Sequence, residues 1–505
     1  MAGGPPGRGE LARDESHFPP ALLRAAATAG LAVSLRTDSR VSVQAAAGPA
    51  LRMTTTPNLS TKVLATSPLP GFAHLTAGSA DVVVKPASTY QQFLGVGAAM
   101  TDAAAYVLAK YLTAAQRSAL LHELYAPGGK CNWGMLRVCI GSADFRAEPV
   151  GYTYDDIPAG QTDPTVAHFS FARDEAYVLP AIAEVVAIRP DVRILACPWT
   201  PPAWMLAAGR FETGGCTFDD QWMSAYAQYF VMFLQAYQAA GIPIWAVSCQ
   251  NEPVAGWFMK FSANEEANFI SSYLGPALHA AGFGGVQILA MDDNWATHAY
   301  AESILQGAGG YGAGAAYHGY TGSPSVGNTV HSAYPHAGQH ATEFRSLTSQ
   351  SLAFQMASMA GGYTAQSVAA YAQSVMLWNL ALDQNGDPNQ NKPGRIPAVT
   401  VNNTTGSLTR RTGYYALTHL SAFAQPGAVR CASSTFGRAY NAPNTLPNNV
   451  TTTALVNPDG SIVLYAYNGY SGNKTFHIVD ARTSRGTKVT MVPGELSTFT
   501  WPSGH

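Results

Sequence analysis

Two glutamates end apolar runs in a way that suits acid–base chemistry on a sugar. Glu252 follows Gln250-Asn251 at the end of the run 242–253, and Glu343 follows Thr342 in the run 340–346. Hydrolysis of a glycosidic bond needs two carboxyl groups flanking it, one holding a proton near neutral pH and one ionised. Asn251 places an amide beside one of them, a group able to bond a sugar 2-hydroxyl. A single glutamate in a loop is more often a solvated surface carboxylate, so the weight rests on both being at strand ends. Other polar or aromatic groups end similar runs: Asp102, Asp144-Phe145, Trp199, Asp292-Asp293-Asn294-Trp295, His318 with Tyr320, and Trp378-Asn379. Acids bond hydroxyls and rings stack on C–H faces. Taken singly, Asp292 and Asp293 read as structural and Trp295 as packing.

The elements that must position these groups are repeated. Eight short apolar runs cover 91–101, 134–141, 193–199, 242–253, 286–295, 314–320, 340–346 and 374–382, with helical stretches between most of them. One helix is predicted to start at Thr113, with Gln116 at capping-box spacing, and to stop at Pro127-Gly128-Gly129. Another carries Trp222, Tyr226, Phe230, Phe233 and Tyr237 on one face. Eight strand–helix units point to an α/β fold, a (β/α)8 TIM barrel, whose site lies at the carboxyl ends of its strands. In such a barrel the tips of strands four and seven, bearing Glu252 and Glu343, face each other across the mouth. Before and after the barrel the pattern is β-like, with a turn at Asn457-Pro458-Asp459-Gly460. The expected organisation is a disordered or targeting segment over 1–35, strands over 36–90, a catalytic barrel over 91–410 and a β-sandwich over 411–505. The accessory sandwich is expected to combine N- and C-terminal strands.

Composition narrows the partners. The chain has 505 residues, 12% of them charged, against roughly 25% in an ordinary soluble domain. The net charge is −2 and no basic tract is long enough to hold a phosphate backbone, so nucleic acid is excluded as a partner. No apolar run reaches the length of a membrane span. Residues 21–35 are small and apolar, but Glu10, Asp14, Glu15 and Arg24 break the pattern of an export signal. The low charge content and the sequons at Asn58, Asn402, Asn403, Asn449 and Asn473 suit a secreted or lumenal protein. The six cysteines form no C-x-x-C and read as buried free thiols. His318 and His331 lack metal-ligand spacing, so no metal is expected. Gly95-Val96-Gly97 has Met100 where a dinucleotide fingerprint needs its third glycine, and no G-x-S-x-G occurs. No cofactor is expected, and the protein is expected to be a monomer.

The motifs, taken in order, resemble glycoside hydrolase family 30, the family of lysosomal acid β-glucosylceramidase. They are GVGAAMTDAAAY from Gly95, MLRVCIGSADF from Met135, ACPWTPPAWM from Ala196, WAVSCQNEP from Trp245, AYHGY from Ala316, VHSAYP from Val330, WNLAL from Trp378 and YYALTHLSAF from Tyr414. The resemblance spans about residues 40–505, and the stretch 152–171 is most similar to bacterial-type members. It implies a retaining β-glycosidase acting on a carbohydrate or glycolipid, with Glu252 as acid/base and Glu343 as nucleophile. It implies further that Asp102, Trp199, Asn251 and Trp378 shape the sugar subsite and that His318 and Tyr320 line the nucleophile side. The substrates it suggests are β-glucosides of the glucosylceramide type. The alternatives are β-1,6-glucan, galactan, β-xyloside and β-fucoside, and a non-catalytic carbohydrate-binding protein is a remoter one. An inverting hydrolase would need wider carboxyl spacing. Relatives carry a small pair after the nucleophile, whereas this chain has Phe344-Arg345. An inward Arg345 would lower the pKa of Glu343. Trp257, Phe258 and Met259 are candidates for an apolar cleft rim.

Overall fold

The computed structural model describes residues 49–76, 78, 81–209, 215–255, 258–437 and 448–505. The expected leader segment over 1–35 and Trp257 lie outside the described residues. Among these residues no helix is long and apolar enough to cross a membrane.

Eight parallel strands close into a barrel: β1 (Gly95–Met100), β2 (Met135–Ile140), β3 (Arg193–Pro198), β4 (Ala246–Ser248), β5 (Gln287–Asn294), β6 (Gly312–His318), β7 (Gly338–Glu343) and β8 (Ala372–Leu377). Each falls within or overlaps one of the eight apolar runs. Closure is through β8 on β1, with Ser374 opposite Gly95 and Leu377 opposite Ala98. Side chains alternate along a strand, so on β2 Met135, Arg137 and Cys139 share the inward face. Met135, Leu195, Ala246, Leu289, Ala316 and Met376 pack together as one interior layer drawn from six strands. Cys139 and Cys197 lie in another cluster with Trp199 and Trp378. Arg137 is the cation caught between these layers.

The helices obey the local rules. Thr113 caps Ala114–Tyr125 in a reciprocal capping box with Gln116. Met223–Ala239 buries Tyr226, Phe230, Phe233 and Tyr237 against the barrel. All six cysteines are buried and none forms a disulfide among the described residues.

The second sheet has eleven strands among the described residues and draws on both ends of the chain. Leu51–Thr55 lies between Ala65–Pro68 and Leu496–Trp501, and Val82–Gln92 lies between Val429–Ser433 and Lys474–Asp480. The segment after 410 does not turn directly into strands. Thr412–Ser421 forms a helix buried along its whole length, because its small and aromatic residues pack between the barrel and the sheet. His419 ties these layers. Its Nδ1 lies 3.0 Å from Thr498 Oγ1 and its Nε2 2.9 Å from Thr55 Oγ1, one threonine from each end of the chain. Thr498 donates its own hydrogen to the His419 carbonyl at 2.6 Å, so Nδ1 must carry the imidazole proton and Nε2 must accept. Burial pushes the pKa of His419 down to about 3, which keeps the ring neutral.

The unfolded chain takes up a proton at this histidine below about 6.5, whereas the folded chain does so only near 3. Stability contributed by the neutral ring is therefore lost as pH falls through that window. His419→Ala is expected to lower stability by about 2 kcal/mol, because it takes the acceptor from the buried Thr55 hydroxyl and leaves a cavity where the ring was. It should also flatten the loss of Tm between pH 6.5 and 3, measured by calorimetry across pH.

Candidate active site

The tips of β4 and β7 bring Glu252 and Glu343 together. A carboxylate oxygen of each and a ring nitrogen of His318 lie within 4.8 Å of one another. Beneath them Arg137, fully buried on β2, spreads its guanidinium between three partners. Nη1 donates to Glu343 Oε2 at 2.5 Å, while Nη2 donates to Asn251 Oδ1 at 2.8 Å and to Asp292 Oδ2 at 2.9 Å. Asp292 is saturated: it also accepts from Ser248 Oγ at 2.7 Å and Thr342 Oγ1 at 2.6 Å, and lies 3.2 Å from His318 Nε2. His318 Nδ1 reaches Glu252 Oε1 at 3.0 Å. Tyr320 donates to Glu343 Oε1 at 2.8 Å.

This network sets the charges. Burial opposes the ionised form of Asp292, but Arg137 and His318 outweigh it and hold the carboxyl well below the usual range. Burial likewise opposes a charged His318, yet Glu343, Asp292 and Glu252 raise its pKa to about 10. The imidazolium donates from both nitrogens, one to Glu252 and one to Asp292. Arg137 is held protonated by Asp292 and Glu343. Glu252, Glu343 and His318 have the donor types a cation would take, but the protons of His318 and Arg137 already fill that space.

Around the pair lies a cleft of about 350 Å³. It is lined by Trp199, Asn251, Glu252, Tyr320, Glu343 and Trp378, joined by Asp144, Phe145 and Asn294. Trp199 and Trp378 stack with centroids 4.9 Å apart, and the Arg137 guanidinium carbon lies 5.1 Å from the first ring and 5.5 Å from the second. Cation–π contact thus holds both indoles over the same charge. His318 is buried beneath the cleft surface, in contact with both carboxylates.

Asp102 is placed elsewhere. Its carboxyl accepts from the Ala147 amide at 2.6 Å and from the hydroxyls of Tyr152 and Tyr177 at 3.0 Å each, and it is absent from the cleft lining. It anchors the loop after β2. Asp144 in that loop has its carboxyl in the cleft instead, where burial and then the charge of Glu343 raise its pKa to about 7. Asp293 is structural, as read: it accepts from the Val254 amide at 3.1 Å and holds the chain just past Glu252. Trp295 packs on Tyr363, and His331 stacks on Tyr371. Arg345 is not the cation on Glu343; it lies 4.8 Å over the Tyr320 ring, and Arg137 makes the bond. Phe344 turns onto Tyr363 at 4.8 Å. Arg137 escaped notice in the sequence, although a charged residue on the inward register of the run MLRVCI was its signal.

Paired carboxyls, stacked indoles and a hydroxyl-bonding rim at the open end of a closed parallel barrel make a glycoside hydrolase. The chain belongs to glycosyl hydrolase family 30: residues 93–424 match that family's TIM-barrel domain and 427–495 its beta sandwich domain. It is 33% identical to an endo-1,6-beta-D-glucanase of Neurospora crassa over 79% of this chain and 83% of that one. It is 29% identical to the lysosomal acid glucosylceramidase of Mus musculus over 85% of each. The solved structure of an endo-beta1,6-glucanase superposes with a TM-score of 0.78 at 28% identity, covering 90% of this chain and all of that one. The protein is a β-glycosidase.

Removing Arg137 takes the guanidinium from the buried carboxylates of Asp292 and Glu343 and leaves them to share the single charge of His318. Arg137→Met is expected to cost about 3–5 kcal/mol of stability, with Arg137→Lys losing less, as read by urea unfolding.

Proposed function

We propose that this protein is a retaining β-glycosidase in which Glu343 is the nucleophile and Glu252 the acid/base, and that its substrate is a β-1,6-linked glucan. The carboxyl spacing carries the mechanism. One oxygen of each carboxyl lies within 4.8 Å of one of the other, which supports the separation of about 5–5.5 Å of a retaining pair over the roughly 6.5 Å or more that an inverting pair needs to admit water. Glu343 receives two donors, Arg137 and Tyr320, the setting a carboxylate nucleophile needs. Glu252 accepts from His318 on one oxygen and leaves the other to carry the proton. In the first step Glu343 attacks the anomeric carbon while Glu252 protonates the leaving oxygen. In the second, water attacks with Glu252 as base and frees Glu343. The stacked Trp199 and Trp378 would form one wall against the sugar, with Asn251 and Asp144 bonding its hydroxyls. Asp102 acts one layer back, on the loop that presents Asp144.

The cleft mouth favours a glycan over a glycolipid. Among the described residues its rim includes Arg345, Lys392, Arg395, Asn294 and Asp144, with Ala255 and Phe258 as the apolar part. A ceramide chain needs a continuous apolar surface, whereas a second hydrophilic sugar needs a rim like this one. The β-1,6-glucanase relatives support the same choice. A polymeric substrate also fits an enzyme that acts outside the cell.

Glu343→Gln is expected to lower turnover at least 10³-fold with the fold intact by circular dichroism; full activity would overturn the assignment. Hydrolysis followed by proton NMR should release the β-anomer first. In a panel of β-1,6-glucan, β-1,3-glucan, aryl β-glucosides and glucosylceramide, the β-1,6-linked polymer should give the highest kcat/KM. Preference for glucosylceramide would overturn the substrate reading and leave the mechanism standing.

A further inference from the structure

Outside the cleft, the carboxyl of Glu266 is fully buried with no cation against it. Glu266 lies in the helix Ala263–Asn268, which starts with a capping box between Ser262 and Glu265. Glu265 is spent on that cap, with Ser262 N donating to its Oε2 at 2.6 Å, and the next residue turns inward. Glu266 Oε1 accepts the Met291 amide at 3.0 Å, and its Oε2 lies 2.9 Å from the Tyr300 hydroxyl. That hydroxyl is also in short hydrogen-bond contact with the Phe261 carbonyl.

Counting hydrogens fixes the protonation state. A phenol has one hydrogen and a carbonyl can only accept, so Tyr300 donates to Phe261 and offers Glu266 a lone pair. The hydrogen between Tyr300 and Glu266 must then sit on Oε2. The titratable groups facing Glu266 are Tyr300, Asp292 and Asp293, with Cys249 and Tyr226 from the strand and helix behind it, and none is a cation. Burial pushes the pKa of Glu266 up to about 8, in the same direction.

The amide that Glu266 accepts belongs to an unusual piece of β5. Met291 and Asp292 are consecutive non-glycine residues at φ +75° and +62°, where the β5–β6 register slips. Such a bulge persists only if its surroundings pin it. The Asp292 carbonyl in turn accepts the Glu252 amide at 3.0 Å, and Glu252 itself sits at φ +46°. We propose that Glu266, as a neutral carboxylic acid, is a positioning residue that pins the β5 bulge and through it sets the pose of the acid/base Glu252. This rests on the role given to Glu252 above.

Two variants separate the parts of the proposal. Glu266→Gln keeps both bonds, since the amide oxygen accepts from Met291 and its N–H₂ donates to Tyr300, so activity at pH 6 should stay within about twofold of wild type. Below about 4.5 folded and unfolded wild type both hold the proton, and between there and about 8 only the folded chain does. Wild type therefore loses stability with rising pH across that window and the Gln variant does not. The Tm difference between them should widen in favour of Gln as pH rises, and a constant difference would overturn the neutral carboxyl.

Glu266→Met removes the pin, and its effect should depend on the leaving group. With a glycoside whose leaving group needs protonation, kcat should fall at least about tenfold with KM unchanged. With a dinitrophenyl glycoside of the same sugar, which departs without an acid, kcat should fall much less. Equal losses on both would mean that Glu266 only stabilises the fold and would overturn the positioning role. Should Glu266→Met fail to fold, Glu266→Ala is read in the same way: a kcat loss on the poor leaving group alone sustains the role, and equal losses on both overturn it. Wild-type inactivity on every glycoside would overturn the proposed function instead, while the Tm comparison would still decide the protonation of Glu266.

Discussion

The cleft end of the barrel is organised around a guanidinium sealed from water. Arg137 projects from the middle of β2 between two apolar layers, where an unpaired charge is untenable. Its bonds to Glu343, Asn251 and Asp292 compensate the burial, and each ties down a different strand end. Asp292 repeats the pattern with opposite sign, taking Ser248 from β4, Thr342 from β7 and His318 from β6. A buried ion pair is weak evidence for stability but a strong constraint on geometry. Here the constraint is useful, because every strand it binds carries a group that faces the cleft.

Much of this was legible in the amino-acid sequence. The eight barrel strands announced themselves as apolar runs because both faces of a parallel barrel are buried, and the polar residues ending those runs mark the mouth. The helices followed from caps and spacing, as at Thr113. What stayed hidden was which polar group at a strand tip faces the cleft. Asp102 and Asp144 both follow apolar strands, and only the fold of the loop after β2 turns one onto tyrosines and the other into the cleft. The helix Thr412–Ser421 read as the start of the β region because its small, apolar composition lacks an amphipathic stripe, and it is buried on all sides. Glu265 and Glu266 are adjacent and identical in type, yet one caps a helix at the surface and the other is sealed inside.

The network also explains how two glutamates in one cleft can differ. Glu343 is held by a permanent cation and a phenol, so its oxygens point where those donors require. Glu252 has a single bond, to His318, and sits on a left-handed backbone supported from β5. A carboxylate that must attack along one line gains from rigid donors, whereas one that gives and takes a proton needs an oxygen left free. The stacked indoles add a wall without competing for hydrogen bonds, since the same guanidinium they cover is occupied at its edge.

The second sheet joins residues from the two ends of the chain: Leu51 lies opposite Thr500, and Thr55 opposite Leu496. On a ribosome, the first of these strands emerges long before its partner exists. Its exposed edge must wait while the intervening barrel is made, the kind of remote pairing that slows folding. Completion of that sheet therefore reports that the chain between its ends has been synthesised and brought into place. A chain cut short before its last strands would keep an open edge on Leu51–Thr55 and lose Thr498 from His419, which would expose an unfinished molecule to aggregation or proteolysis.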